Sequence, residues 1–120
     1  RIVLLEDNDS VRAATELFLS LEGYEIHSAG SVADAEALLA NLRQGDLLIS
    51  DYHLNGSLTG LDVLQQVRAQ HQRGIPAIIL SGDLQSMMRV VKTSIPHCRF
   101  LSKPVDTNAL LAAISELGGS

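Results

Sequence analysis

Short aliphatic runs alternate with amphipathic stretches along the whole chain. Ile2–Leu5 is too short for a helix and ends in acids, which suits a fully buried strand. From Ser10 to about Leu21, Val11, Ala14, Leu17, Phe18 and Leu21 recur at helical spacing, and Gly23 stops that helix. Tyr24–Ser28 alternates like an outer strand. Ser31 reads as an N-cap with Asp34 three positions on, in the manner of a capping box. Val32, Ala35, Leu38, Leu39 and Leu42 form the stripe of the helix that follows. Leu47–Ile49 is a second buried run and leads into Ser50-Asp51. A polar, glycine-containing loop from His53 to Gly60 precedes a helix with Leu61, Leu64 and Val67 on one face. Ala77–Leu80 is a further strand ending in Ser81-Gly82-Asp83, with Asp83 placed to cap a helix over about Leu84–Thr93. Arg99–Leu101 is a weaker strand, closed by Ser102-Lys103-Pro104. The last helix, from about Thr107 to Leu117, carries Leu110, Leu111, Ile114 and Leu117, and Gly118-Gly119 ends it.

Five strands and five helices in strict alternation imply a parallel sheet covered on both faces, because parallel neighbours need crossovers. The expected architecture is a three-layer α/β domain of (βα)5 type, flavodoxin-like, with strand order 2-1-3-4-5. Residues 1–120 fall within the roughly 100–150 residues of one domain, and no linker or repeat divides them. The chain opens on Arg1 with a strand, so it is expected to be a segment of a longer protein. A single cysteine cannot form an internal disulfide, and Cys98 reads as a small buried apolar residue. The net charge of −5, without a basic cluster, argues against direct nucleic-acid binding by this domain. No apolar run approaches the ~20 residues that span a bilayer, and no signal peptide is visible, so membrane contact by this domain is not expected.

The chemistry collects after the strands. The first ends in Glu6-Asp7, the third in Asp51, the fourth in Ser81 and the fifth in Lys103. In such sheets ligands bind outside the carboxyl ends of the strands, and the crevice lies between the first and third. Three carboxylates gathered there repel one another and either raise a pKa or recruit a cation. One lysine leaves a local balance of minus two, and an all-oxygen donor set suits Mg²⁺ better than Zn²⁺. An aspartate, a hydroxyl, a lysine and that ion suit phosphoryl transfer, with the Asp51 carboxylate as nucleophile. Ser81 alone is ordinary turn chemistry, and only its register with the others promotes it. The histidines at 27, 53, 71 and 97 show no metal-ligand spacing and read as surface or capping residues.

The blocks "VLLEDND", "LLISDYHL", "AIILSGD" and "FLSKPVD" together resemble the signature blocks of bacterial two-component receiver domains, over essentially the whole chain. The resemblance implies Asp51 as phosphoacceptor, Asp7 as direct Mg²⁺ ligand, Glu6 acting on the ion through water, and the backbone carbonyl of His53 as a further ligand. It implies Ser81 as switch hydroxyl, Lys103 as phosphate partner, Phe100 at the aromatic switch position and a cis Lys103–Pro104 peptide. The implied donor is a histidine kinase or histidine-phosphotransfer domain, docking near the first helix. The face of the fourth helix, fifth strand and fifth helix would serve docking or a homodimer. Glu6 and Ser81 are ordinary variants of Asp and Thr, and Phe100 stands where Tyr is more familiar. The loop "DYHLNGSLTG" has Asn55 where the family often has Pro and reaches Gly60 one residue late. That loop, with "LSGD" and "LSKPV", resembles receivers at the C-terminus of hybrid sensor histidine kinases. The alternative parent is a stand-alone or DNA-binding regulator. The implied location is cytoplasmic, or the cytoplasmic side of the inner membrane in a hybrid kinase.

Other classes fit less well. An EF-hand starting at Asp7-Asn8-Asp9 would put Arg12 where its glycine belongs. A haloacid dehalogenase-type phosphohydrolase would make Asp7 the nucleophile and expects a cap domain. A flavin-binding flavodoxin needs a phosphate loop after the first strand, where Glu6, Asp7 and Asp9 would repel a phosphate. A degenerate receiver serving only as an interaction module would lack some of the five site residues, all of which are present.

Overall fold

A computed structural model of the chain describes residues 1–54, 58–91 and 95–118. Five strands, β1 (Ile2–Leu5), β2 (Ile26–Ala29), β3 (Leu47–Asp51), β4 (Ala77–Ser81) and β5 (Cys98–Ser102), alternate with five helices. The helices are α1 (Asp9–Leu21), α2 (Val32–Ala40), α3 (Gly60–His71), α4 (Leu84–Val90) and α5 (Thr107–Gly118). The strands are all parallel, in the order β2-β1-β3-β4-β5, so the expected flavodoxin-like α/β fold is the observed one.

Strand pleating sorts the aliphatics into two layers. Val3, Leu5 and Leu48 face α2 and α3, where Ala35, Leu39, Val63, Leu64 and Val67 close the core. Ile2, Leu4, Ile49, Ile78 and Leu80 face α1 and α5, against Leu19, Leu110 and Ile114. A smaller cluster of Tyr52, Ile79 and Met87, with Phe100 packed on it, lies beneath α4. β1, β3 and β4 are buried along their length, whereas β2 and β5 form the half-buried edges.

The element limits differ from the expected ones for local reasons. β2 begins at Ile26, not Tyr24: the Tyr24 and Gly23 N–H groups still donate to Leu19 and Ser20 carbonyls, with Gly23 at φ 97°. That turn closes α1 before the chain can join the sheet. β3 and β4 run on to Asp51 and Ser81 because ladder bonding continues past the aliphatic run, with Tyr52 N–H donating to the Leu80 carbonyl at 2.7 Å. Leu42 is buried although α2 ends at Ala40. At Ser31 the hydroxyl accepts the Asp34 N–H at 3.1 Å, as expected of an N-cap. The reciprocal capping box forms between Asp62 and Thr59, the latter inside the stretch assigned from sequence to a loop. Asp83 caps α4 by accepting the Ser86 N–H at 3.1 Å. Asn55, Thr93 and Gly119 lie outside the described residues. Cys98 is half-buried rather than buried, because β5 is an edge strand, and burial still pushes its thiol up to about 11. His27 pairs with Glu25 at the surface, and the His71 ring meets the Leu39 carbonyl at 2.8 Å. No described helix is long and apolar enough to cross a membrane.

Candidate functional site

Parallel pairing carries the carboxyl ends of all five strands to one rim. Leu5 pairs with Ser50 and Asp51 with Leu80, so Glu6 and Asp51 emerge side by side on neighbouring strands. Ser81 pairs with Ser102, which places Lys103 one step beyond on β5. The Lys103–Pro104 peptide is cis.

Oxygen atoms of Glu6, Asp7 and Asp51 all lie within 4.8 Å of one another. Glu6 and Asp51 are 2% and 5% exposed, while Asp7 stands in solvent. The Lys103 ammonium reaches between the two buried acids and donates to Glu6 Oε1 and to Asp51 Oδ1, each at 2.9 Å. Glu6 Oε2 also accepts the Asn8 N–H at 3.2 Å. A cleft of about 130 Å³ opens beside them, lined by Asp7, Asp51, the His53 segment, Ser81, Gly82 and Lys103. The Ser81 side chain is buried, and its Oγ accepts the Asp83 N–H at 3.1 Å. Phe100 does not reach the cleft; it is half-buried on the cluster beneath α4.

The electrostatics are unbalanced. Burial, and then the hydrogen-bonded Glu6 carboxyl, push Asp51 up to about 7 against the pull of Lys103. Burial also pushes Glu6 upward, but hydrogen bonds shared with Asp51, Lys103 and the Asn8 N–H outweigh it and hold Glu6 below the usual range. Lys103 loses solvation, yet both acids hold its ammonium above the ordinary lysine value. The two carboxyls titrate as a pair, Asp51 being the member pushed upward. Three carboxylates and one ammonium leave two negative charges with only oxygen donors around them. That donor set fits a hard divalent cation, which would relieve the repulsion that pushes Asp51 upward.

Glu6, Asp7, Asp51, Ser81 and Lys103, expected from sequence to meet, are thus brought together, with the His53 segment on the same cleft. Sequence reasoning missed Arg12, whose guanidinium donates to the Glu6 backbone carbonyl, and Gly30, which lies against it. A cation in the first turns of a helix, just after two acids, was the available signal, since the helix dipole disfavours it there.

Residues 2–115 match the response regulator receiver domain family. The transcriptional regulatory protein AfsQ1 of Streptomyces coelicolor is 32% identical over 113 residues, covering 94% of this chain and 48% of that protein. The chain spans a quarter to a half of the length of such regulators. A response regulator receiver protein from Pseudomonas putida superposes with a TM-score of 0.80 at 28% identity, covering 96% of this chain and 94% of the other. The receiver domain from the hybrid histidine kinase CckA gives 0.77 at 29% identity, covering 98% and 97%.

Proposed function

This chain belongs to the response regulator receiver domain family, and from that premise we propose that Asp51 accepts a phosphoryl group from a phosphohistidine. The donor is a histidine kinase or a histidine-phosphotransfer domain. The observation that carries the reading is the Lys103 ammonium bridging two buried acids, Glu6 and Asp51, beside exposed Asp7 and buried Ser81. No structural need explains two carboxylates buried against each other at the rim of a parallel sheet.

In the proposed reaction an Asp51 carboxylate oxygen attacks phosphorus. A P–O bond forms as the P–N bond breaks, the donor imidazole keeping the electron pair and taking up a proton. Lys103, already 2.9 Å from Asp51, turns from the carboxylate oxygen to a phosphoryl oxygen. Ser81 lies on the same cleft and donates its hydroxyl proton to another. Glu6, Asp7, Asp51 and the His53 carbonyl are the groups that would hold Mg²⁺, which when bound neutralises charge on the transferring oxygens. The surroundings support a switch: the Ser81 Oγ also accepts the Asp83 N–H, and Asp83 caps α4. Drawing Ser81 toward the phosphoryl group weakens that tie and frees room for Phe100, shifting the α4-β5-α5 face between two populations. That face then serves docking or a homodimer. A groove of about 290 Å³ beside Lys103, lined by Val11, Ala14, Phe18, Pro104 and Val105 among others, supports α1 as the donor-facing side.

The proposed parent is a hybrid sensor histidine kinase carrying this receiver, in the cytoplasm or at the cytoplasmic side of the inner membrane. Likeness to the CckA receiver supports it, and the likeness to transcriptional regulators supports the alternative parent. Mass spectrometry after treatment with acetyl phosphate tests the reaction. One hydroxylamine-labile phosphoryl group at residue 51, formed with Mg²⁺ and not with EDTA, is expected. A label on Asp7 that survives Asp51→Asn would refute it in favour of dehalogenase-type chemistry.

A further inference from the structure

Arg12 lies one turn into α1, yet its side chain is turned back toward the site and is only 23% exposed. Its Nη1 donates to the Glu6 backbone carbonyl at 2.9 Å, and its Nη2 to Asp9 Oδ1 at 2.7 Å. The guanidinium rests on the loop after β2. A Cβ built at Gly30 would fall 2.7 Å from Nη1, and Gly30 does not occupy the left-handed region. A side chain there would push the guanidinium off its seat, with no backbone strain of its own.

The Glu6 carbonyl belongs to the peptide plane that joins Glu6 to Asp7. Peptide planes are rigid, so fixing that oxygen fixes the direction in which Asp7 leaves β1. The Glu6 N–H is held by the Ala29 carbonyl at 3.1 Å, but Asp7 lies beyond the strand and in solvent. Arg12 also holds Asp9, the remaining acid of this loop, outside the cluster of Glu6, Asp7 and Asp51. We propose that Arg12 is a positioning residue: seated on Gly30, it straps the Glu6–Asp7 segment into the arrangement that binds a divalent cation. This rests on the cation-dependent phosphoacceptor reading given above.

Calorimetric titration with MgCl₂ alone tests it on the whole chain. Arg12→Ala is expected to raise the Mg²⁺ Kd by about tenfold, the low end for losing an outer partner of a metal ligand. Gly30→Ala should shift Kd the same way, because the new methyl displaces Nη1 while the arginine remains. In the double variant Gly30→Ala should add nothing to Arg12→Ala, since it acts only through the guanidinium. Arg12→Lys, which offers one donor to the carbonyl, should recover part of the loss. In acetyl phosphate labelling the deficit should lie in the Mg²⁺ concentration for half-maximal rate far more than in the plateau. Urea unfolding in EDTA identifies a variant that has merely lost stability, which lowers the midpoint without moving Kd. Unchanged Kd in Arg12→Ala and Gly30→Ala, or full additivity between them, overturns the strap. Absence of Mg²⁺ uptake by the unsubstituted chain instead overturns the phosphoacceptor reading beneath it.

Discussion

Replacing Asp51 by Asn should shift stability in the variant's favour, in the metal-free protein, as pH rises. Asp51 is pushed up to about 7 in the fold, against about 3.9 in an unfolded chain. Below pH 4 the carboxyl is protonated in both states and carries no penalty. Between pH 4 and 7 the unfolded chain ionises while the fold holds its proton, so stability falls as pH rises. Above pH 7 the loss is complete. Linkage puts the penalty at roughly 1–2 kcal/mol at pH 5 and about 4 kcal/mol at pH 8. Asn cannot ionise and escapes this. Its amide oxygen still accepts from Lys103 but carries no charge, which forfeits part of the roughly 1.5–3 kcal/mol of a charged hydrogen bond. Lys103 stays charged throughout this window, being held above the ordinary lysine value, so the pH dependence comes from the carboxyl. The growth of the difference, roughly 2–3 kcal/mol between pH 5 and 8, is therefore the quantity to measure.

Urea unfolding followed by circular dichroism, in EDTA, supplies it from the midpoints of the two proteins. A difference that stays flat, or that moves in favour of Asp51 as pH rises, refutes the argument that repulsion and burial govern this carboxyl. Magnesium gives a second arm. An ion at a hundred times its Kd adds about 2.7 kcal/mol to the protein that binds it, so the unsubstituted chain should close much of the gap at pH 8.

Lys103→Met should tighten Mg²⁺ binding by about threefold or more, since it removes a cation from the donor set, while labelling of Asp51 falls; calorimetry and acetyl phosphate labelling measure the two. Thr59→Ala removes the α3 capping box and should cost about 1 kcal/mol, seen as a lower midpoint in urea with Mg²⁺ affinity unchanged. Gly60→Ala drives a methyl into the Asp51 backbone carbonyl, and backbone cannot swing aside as a side chain can. It should lower the urea midpoint by more than Thr59→Ala does, and slow phosphorylation as well.

The fold was legible because each aliphatic run is flanked by polar punctuation, so period and length separate buried strands from helices. What the pattern missed were ends decided by backbone bonding. Tyr24 alternates like a strand residue, yet its N–H closes α1. Thr59 looks like loop, yet it opens a helix by exchanging bonds with Asp62. The acids, the hydroxyl and the lysine were legible because parallel topology sends every strand terminus to one rim. Arg12 and Gly30 were not, because their meeting depends on a side chain folding back over a peptide plane, which no spacing encodes. The cluster of Tyr52, Ile79, Met87 and Phe100 was equally hidden, since it joins residues from three strands to α4.

The site's imbalance and the proposed switch have one physical origin. Two buried acids sharing one ammonium leave the metal-free rim unbalanced, so anything that neutralises it gains differential free energy between states, which a population shift requires. Ser81 gives that gain a route outward. Its hydroxyl oxygen serves the Asp83 N–H at the start of α4, a helix of only 7 residues. A helix that short depends on its cap and on tertiary packing for its order. Its packing comes from Met87 against Tyr52 and Ile79, with Phe100 beside them. In the proposed switch a phosphoryl group draws the Ser81 hydroxyl inward and stretches its bond from the Asp83 N–H, one support of α4, and a turn of Phe100 acts on the other. The α4-β5-α5 face is the part that the proposed switch moves, because both supports belong to the one short helix, whereas α1, at 13 residues and with Leu19 fully buried, keeps its place.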